Sequence, residues 1–525
     1  MKAIRTYFNF EKLTYIWRGC LIGLAAGAVT AGFRYLIGQA VTFVQALFQT
    51  VRQGQLLLLI PIGLGLIIIG LIVGLLLRQQ PAISGSGIPQ VEALIEDELS
   101  YNWWSILWRK FVGGVLAIGP GLGLGREGPS IQLGAAAGQG LARAYRAQGA
   151  DRRIMIAAGA AGGLSAAFNA PMAGTMFVLE EIYHTFSYPV WLTSLASAVA
   201  ANFVALYVFG LQPVLHLNYQ ASLPISQYWQ LAILGIVLGL LGRVYQVCLL
   251  NQGKFFRYFK KLPRSFHGLI PLLAVIPLGL WHPEWLGGGN GIILSFNTPQ
   301  LSIGILVLLF IVRFIFSMLS YGSGLPGGIF LPILSLGAII GALYGAVMVH
   351  LGLLAPIYWY NLVIFAMAGY FAAIGKAPFT AVLLITEMVG SLQHLMPLAF
   401  LCLIAYVSND MLNGQPIYTS LKNRLRVAQL VGNGQLDEIQ VPVLEIPGAS
   451  AFQVRQLAWP PESLLISIQR GESRVIPHGN TVIRPGDILI VLVPNGQVGH
   501  YKALITTQLS QLYEKIARDT TSNDT

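Results

Sequence analysis

Long apolar stretches recur along this chain, and they constrain its fold more than any other feature. A helix needs about 20 mostly apolar residues to cross the core of a bilayer. Stretches of that kind occupy residues 56–77, 190–209, 231–250 and 301–319, and residues 397–407 with their flanks. Only 10% of the residues are charged, against about 25% in an average soluble domain, which is too few to coat a soluble surface. The sequence therefore predicts an all-α, multi-pass membrane protein.

Basic residues lie in short clusters between the apolar stretches, and these clusters predict the topology. They fall within residues 143–153, 254–264 and 422–426, a pattern typical of cytoplasmic loops. Residues 212–230 and 350–361 contain no Lys or Arg and are predicted to lie outside. Both termini are then cytoplasmic. No cleavable signal pattern precedes the first apolar run, so we expect a prokaryotic plasma membrane.

The net charge of +11 does not indicate a nucleic-acid partner, because the basic residues lie in short clusters between apolar stretches.

The composition changes near residue 435, where charge returns and apolar residues begin to alternate. Residues 464–468 and 488–493 are predicted strands, residues 477–480 and 484–487 are predicted turns, and residues 454–457 are assigned to a short helix. We therefore expect a membrane domain over residues 1–430, a small cytoplasmic α/β domain over residues 436–510, and a polar tail over residues 511–525.

The membrane part contains an internal repeat. A glycine, a proline and a glutamate spaced by nine residues occur twice, as Gly162, Pro171 and Glu180, and again as Gly369, Pro378 and Glu387. Residues 129–134 also match residues 332–337, and residues 85–88 loosely match residues 289–292. Duplicated halves are typical of transporters, whose binding sites lie where the halves meet.

Four Gly/Pro interruptions mark candidate sites: residues 85–89 (GSGIP), 125–129 (GREGP), 324–332 (GLPGGIFLP) and 416–418 (PIY). In the first three, a proline falls where a helix can begin, because its missing N–H costs nothing there. Several helix N-termini directed at one point would bind an anion through free N–H groups and helix dipoles, without a full positive charge that would hold it too tightly for release. The alternative is that these residues only bend helices around one another.

Glu127, within the second interruption, is the strongest single candidate for a functional residue. An ionisable side chain in a membrane segment is costly, and it is taken as functional by default. Because a carboxylate resembles chloride as an anion, it could occupy an empty anion site when ionised and swing out when protonated. The alternative is a local helix cap or an ion pair with Arg126.

Further glutamates end the two apolar runs of the repeat, Glu180 and Glu181 in the first copy and Glu387 in the second. Glu181 is a candidate entry point for protons. For Glu180 and Glu387, simple contact with water at the end of a span is an equally good alternative. The three cysteines have no metal-like or disulfide spacing, and no metalloprotease or phosphate-binding motif is present, so we expect no enzyme, no metal and no cofactor.

At these motifs the sequence resembles the CLC family of chloride channels and chloride/proton antiporters, over about residues 15–430. The resemblance implies a homodimer with one pore per subunit, and two inverted repeats of short, tilted and re-entrant helices. It also implies a chloride-binding site, with an outer site near the gate, whose contact residues are Ser86, Tyr418, Ile329, Phe330, Glu127 and Gly128. Ser86 and Tyr418 would contribute hydroxyls and the others backbone N–H groups.

The same resemblance assigns the proton path. Glu127 would be the gate and proton carrier, and Glu181 the internal proton acceptor. Glu181 favours a secondary active chloride/proton antiporter, because channels in the family tend to have an apolar residue there; a passive voltage- or pH-gated chloride channel of the same fold is the alternative. Ser86 favours chloride, since nitrate-preferring members tend to have proline there, and the fluoride-selective branch departs from several of these motifs.

The tail resembles a TrkA C-terminal domain, and residues 464–493 carry the resemblance. It implies either regulation by a small ligand or a structural contact between subunits, and both alternatives remain open at this point.

Overall fold

The computed structural model describes residues 10–521, apart from residues 212, 216–220, 260, 297–301, 426–435, 444–450, 472 and 495–497. The chain divides into two compact units, Met1–Glu92 with Tyr101–Arg424, and Ala93–Ser100 with Leu425–Thr525. Residues 522–525 of the predicted polar tail lie outside the described part. In that part, nine helices are long and apolar enough to cross a membrane.

The helices of the first unit fall into two sets of eight with the same order of long and short members. The first set is α1 (Phe10–Arg52), α2 (Leu59–Gln79), α3 (Ile88–Ile95), α4 (Trp103–Ile118), α5 (Glu127–Ala144), α6 (Gly149–Phe168), α7 (Pro171–Phe177) and α8 (Tyr188–Phe209). The second is α9 (Tyr228–Phe256), α10 (Leu269–Trp281), α11 (Asn290–Ser295), α12 (Ile303–Gly322), α13 (Phe330–His350), α14 (Trp359–Gly375), α15 (Pro378–Val389) and α16 (Leu395–Asp410). A further short helix, α17 (Ile417–Lys422), follows them. The repeat predicted from the sequence is thus present in the structure.

Glycines let the central helices of each half approach closely. A Cβ atom on Gly134 of α5 would lie 2.9 Å from the backbone of Gly163 in α6, and a Cβ on Gly337 of α13 would lie 2.9 Å from the Cα of Met367 in α14. Small residues at such crossings allow dispersion contacts between backbones, which stabilise helix pairs in a membrane. The two pairs α5–α6 and α13–α14 therefore form the packed centre of the unit.

The glutamates that end the two apolar runs bind across the repeat. Glu180 accepts hydrogen bonds from the backbone N–H groups of Phe379 (3.3 Å) and Thr380 (2.8 Å), at the start of α15. Glu387 accepts from the N–H groups of Met172 (3.0 Å) and Ala173 (2.8 Å), at the start of α7. Both carboxylates therefore cap helices, and contact with water alone does not describe them.

The second unit contains a four-stranded antiparallel sheet in the order β1–β6–β3–β4, and a separate pair β2–β5. The strands are β1 (Leu436–Pro442), β2 (Phe452–Gln453), β3 (Leu464–Arg470), β4 (Ser473–Val475), β5 (Val482–Ile483) and β6 (Ile488–Pro494). The two strands expected from the sequence correspond to β3 and β6, and the expected short helix is a 3₁₀ turn, Val454–Gln456.

The last helix, α18 (Val498–Thr521), runs through the boundary expected at residue 510. No helix was predicted from the sequence at these residues. Its apolar side chains Tyr501, Ile505, Leu509 and Tyr513 are buried against the sheet, and their spacing of four residues is the helical period that could have revealed it.

Candidate functional site

Gly125 and Gly328 join the two halves of the membrane unit where α5 and α13 begin. The backbone N–H of each donates to the carbonyl of the other, at 2.7 Å in both directions, and the two backbones run antiparallel. In the described part of the chain, neither helix has a side-chain cap from its N-cap residue, although the first-turn N–H groups of a helix have no partner within the helix. The positive ends of two long helix dipoles are therefore brought together.

Ser86 lies against this junction. A Cβ atom on Gly128 would lie 2.8 Å from the Cβ of Ser86, and a Cβ on Gly328 would lie 3.2 Å from the nitrogen of Gly128. Gly85, with φ of +61°, accepts a hydrogen bond from the N–H of Gly327 at 3.0 Å. The turn before α3 thus packs on the starts of both α5 and α13, and only residues without a side chain allow this approach.

Glu127 is fully buried at the start of α5. Its carboxylate lies beside Gly125. A Cβ atom added to Gly125 would contact Glu127 Oε2 and would lie 3.1 Å from the backbone nitrogen of Leu331 in α13. Arg126 Nε lies 3.9 Å from Oε1. Within the described residues neither carboxylate oxygen makes a hydrogen bond. The group therefore lies between the two helix starts, close to the backbone N–H groups of Glu127 in α5 and Leu331 in α13.

Tyr418 reaches the same region from α17. It is fully buried, and its hydroxyl makes no hydrogen bond to any residue that the structure describes. Its ring lies 6.1 Å from that of Phe177, which in turn lies 6.0 Å from that of Phe330, between ring centroids. Phe330 follows Ile329 at the start of α13. The residues predicted to contact chloride thus form one contiguous cluster, although their roles remain predictions.

Glu181 lies in a five-residue π-helical segment, Val178–Ile182, at the end of α7. It is 1% exposed. Glu180 and Glu92 are close enough to act on it electrostatically, and Tyr418 is within electrostatic range of both Glu181 and Glu127. Tyr418 is therefore near both of the glutamates that are predicted to carry protons.

Glu92 is a further buried carboxylate that the sequence analysis misses. It is fully buried in α3, and its Oε1 lies 2.9 Å from Lys422 Nζ, 3.3 Å from His184 Nε2 and 3.4 Å from Thr419 Oγ1. An ionisable residue three positions after GSGIP is a signal that could have identified it. It ties α3 to α17, and hence the Ser86 turn to Tyr418.

Two buried cations hold the turns of the two halves in the same way. Lys110 Nζ donates to the carbonyls of Ile83 (2.8 Å) and Gly85 (2.7 Å). Arg313 Nη1 donates to the carbonyls of Trp285 (2.9 Å) and Gly287 (2.7 Å). The cations are 203 residues apart, the offset of the repeat around α5 and α13. Lys110 therefore holds the turn that precedes Ser86 by binding two of its backbone carbonyl groups.

Comparison with known proteins gives a consistent result. The profile of the family described as "Voltage gated chloride channel" matches residues 65–410, and that of the TrkA-C domain matches residues 453–506. The H+/Cl− exchange transporter ClcA of Vibrio parahaemolyticus is 35% identical over 418 residues, covering 77% of this chain and 88% of the relative. ClcA of Salmonella arizonae is 33% identical over 460 residues, covering 82% and 96%.

Solved structures with the same fold include antiporters. A slow cyanobacterial Cl−/H+ antiporter superimposes with a TM-score of 0.73 at 31% identity, covering 78% of this chain and 97% of that one. A CLC-type fluoride/proton antiporter superimposes with a TM-score of 0.63 at 25% identity, covering 77% and 97%.

Proposed function

This chain belongs to the voltage gated chloride channel family, and we propose that it is a secondary active antiporter, which exchanges chloride for protons across a membrane. The resemblance drawn from the motifs is confirmed by the family match over residues 65–410. The relatives and the solved structure with 31% identity are named as exchangers, which favours the antiporter over the passive channel.

The observation that carries the proposal is the position of Glu127 between two helix N-termini. A carboxylate there is favoured by the same N–H groups and dipoles that would favour chloride. Protonation removes its charge and with it this preference, so the side chain leaves and chloride can enter. One group then excludes chloride when ionised and carries a proton when neutral, which is what coupled exchange requires.

Chloride binding in this proposal uses the cluster around the Gly125–Gly328 bridge. The hydroxyls of Ser86 and Tyr418 and the backbone N–H groups of Ile329 and Phe330 hold a central anion, and the N–H groups near Glu127 and Gly128 hold an outer one. Partial charges bind an anion firmly enough to select it and weakly enough to release it. Chloride selectivity rests on Ser86 in this scheme.

Protons follow a separate inner route in this proposal. Glu181 accepts them from the inner side and passes them to Glu127 past Tyr418, whose hydroxyl lies within electrostatic range of both. Burial keeps Glu181 from direct contact with the pore solution, since it is 1% exposed. Glu92, with Lys422 and His184 beside it, is within electrostatic range of Glu181.

Assembly and orientation complete the proposal. We expect a homodimer with a separate pore in each subunit, in the plasma membrane of a prokaryote, with both termini in the cytoplasm. The TrkA-C domain then faces the cytoplasm and is a candidate receptor for a small ligand. Crosslinking in intact membranes tests the dimer, and cysteine labelling at residues 1–9 and 522–525 tests the orientation.

Flux measurement in liposomes tests the function directly. The purified chain is reconstituted, a chloride gradient is imposed with no proton gradient, and external pH is recorded together with chloride release. We expect chloride movement to drive protons in the opposite direction, so that a proton gradient builds up where none was imposed. Chloride release with no accompanying proton movement would identify a channel instead.

A further inference from the structure

Basic residues that are far apart in the sequence converge on one cavity of the membrane unit. The cavity has a volume of about 990 Å³. Arg78 comes from the end of α2, Lys254 from the last turn of α9, Arg264 and His267 from the segment before α10, and Arg424 from the residues after α17. Among the described residues that line the cavity, none is an aspartate or a glutamate. Two sequence clusters that predict cytoplasmic loops therefore face one another across a single space.

The charges of this cavity are largely uncompensated. Arg78, Lys254 and Arg264 are exposed, and in the part of the chain that the structure describes their side chains form no ion pair or hydrogen bond. Arg424 donates through Nη1 to the carbonyl of Leu250 and makes no ion pair with any residue that the structure describes. Like charges around a concave surface raise the local concentration of anions. The cavity is therefore an attractive region for negatively charged ligands.

The floor of the cavity belongs to the turns that lead to the candidate anion site. Ser84 Oγ donates to the carbonyl of Gly324 at 3.0 Å, and both residues line the cavity. The N–H of Gly85 donates to the same carbonyl at 3.4 Å. Ser84 precedes Ser86 by two residues, and Gly324 precedes Ile329 by five. A ligand in contact with Ser84 and Gly324 would therefore lie beside the segments that lead to Ser86 and Ile329.

Chloride alone does not account for the shape of this cavity. A single small ion cannot contact cations that are spread over walls of this extent, whereas an anion with several oxygens can, and guanidinium groups bind phosphate oxygens in pairs. Phe256 stacks on His267, with ring centroids 5.2 Å apart and an interplanar angle of 22°. Both side chains are buried, so this stack is a packed part of the cavity wall.

We propose that this cavity binds a phosphate-bearing anion, and that its occupancy slows chloride passage at the Ser84–Gly324 turn. The binding site stands on the geometry alone. The effect on transport rests on the function proposed above. A cell contains such anions both in solution and as lipid headgroups, and the chemistry of recognition is the same for both.

Binding and flux are measured separately on the full chain, so that failure of one can be told from failure of the other. Binding of pyrophosphate, ATP and phosphatidylglycerol, with phosphatidylcholine as the neutral lipid, is followed by the shift in thermal unfolding of the protein in detergent. The same soluble anions are then applied in the liposome flux assay. The test variant is the pair Lys254→Gln and Arg264→Gln. The control is the pair Arg455→Gln and Arg474→Gln, which removes two exposed charges from the other unit.

We expect the test pair to weaken binding by about tenfold or more, since each lost charge-assisted contact is worth on the order of a tenfold change, and the control pair to leave it unchanged. Binding of pyrophosphate or ATP identifies a soluble ligand, and binding of phosphatidylglycerol alone identifies a lipid headgroup; both support the site. Absence of binding by all three overturns it. So does binding that survives in the test pair, or that is lost in the control pair.

Discussion

Glu180 and Glu387 lie 207 residues apart at equivalent positions of the two halves, and each caps a helix that belongs to the other half. Glu180 binds the N–H groups at the start of α15, and Glu387 binds those at the start of α7. The residues that donate to the two carboxylates have the same spacing. Met172 and Phe379 are 207 residues apart, and so are Ala173 and Thr380. The exchange therefore locks the two halves together by a pair of charged helix caps.

Replacement of either cap is expected to destabilise the fold. Glu180→Ala or Glu387→Ala leaves two backbone N–H groups at a half-buried helix start without their partner, and we expect a loss of about 1–2 kcal/mol in the free energy of unfolding. Thermal unfolding in detergent measures it. Glu438→Ala, at an exposed position of β1, is the control and should change little. Equal stability of the cap variants and the control would show that the caps contribute nothing.

Removal of the Glu127 carboxylate is expected to separate the two fluxes. In Glu127→Ala no group carries the proton through the junction of α5 and α13, so chloride-driven proton movement should fall to background. Chloride flux should persist, because the N–H groups of both helix starts remain. Parallel recordings of pH and chloride in liposomes measure both. Coupled, pH-dependent exchange in this variant would refute the gate role.

Glu181 is expected to act on proton transfer alone. Glu181→Ala should retain chloride flux and lose proton coupling, because the substitution removes the inner acceptor and leaves the anion cluster in place. The adjacent Glu180→Gln is a matched control: an amide oxygen can still accept from the start of α15, so coupling should survive. If coupling survives equally in both variants, the inner acceptor is another residue, and Glu92 is the next to test.

Gly128 is expected to tolerate no side chain. The added methyl group of Gly128→Ala would lie 2.8 Å from both the Cβ and the carbonyl oxygen of Ser86, so the Ser86 turn must move away from α5. We expect chloride flux to fall by about tenfold or more, since a shift of about 1 Å at a binding site costs activity on that scale. Gly32→Ala in α1, where a Cβ meets nothing within 4 Å, is the control. Wild-type flux in Gly128→Ala would exclude a tight contact at this position.

The stability of the second unit is expected to fall in acid because of Asp487. Burial acts to raise the pKa of this carboxyl, but Arg470 (2.7 and 2.8 Å) and the backbone N–H of Arg484 (2.8 Å) outweigh it and hold the pKa below its usual range. A lowered pKa in the folded state adds stability above the unfolded value of about 3.9, and this is lost as pH falls through the folded value.

Hydrogen exchange of β6 in the full chain, corrected for intrinsic rates, measures this effect. Protection should decrease below about pH 4. Asp487→Asn should be less stable at neutral pH, and its protection should vary less with pH over the same range. An unchanged pH profile in this variant would assign the acid sensitivity to other groups.

Local sequence was enough to place the helix starts around the site. Pro89 is the second residue of α3, and Pro129 and Pro332 are the third residues of α5 and α13. A proline near the start of a helix lacks an N–H that would be unpaired there in any case. The position of such a proline in the sequence therefore indicates where the helix begins. The strands β3 and β6 were also predictable, because alternation is a local property. The helix α18 carried an equally local signal that the sequence analysis overlooked.

The partners of buried charges could not be predicted in this way. Lys422 meets Glu92 across 330 positions of the chain, and the basic clusters that line one cavity are separated by long helices. No propensity or spacing encodes such pairs, because they depend on how complete segments pack. Spacing did indicate that Glu180 and Glu387 are equivalent, but it did not show that each caps a helix of the other half.

By itself, the sequence determined that this chain is a membrane protein of duplicated halves, and that Glu127 lies where a helix begins. Those properties follow from apolar length, repeat spacing and proline chemistry, which act within a few turns of helix. Only the tertiary structure decided that the starts of α5 and α13 meet at Gly125 and Gly328, with Glu127 between them. That meeting requires glycines 203 residues apart to approach within hydrogen-bond distance, and packing of the whole unit is what brings them together.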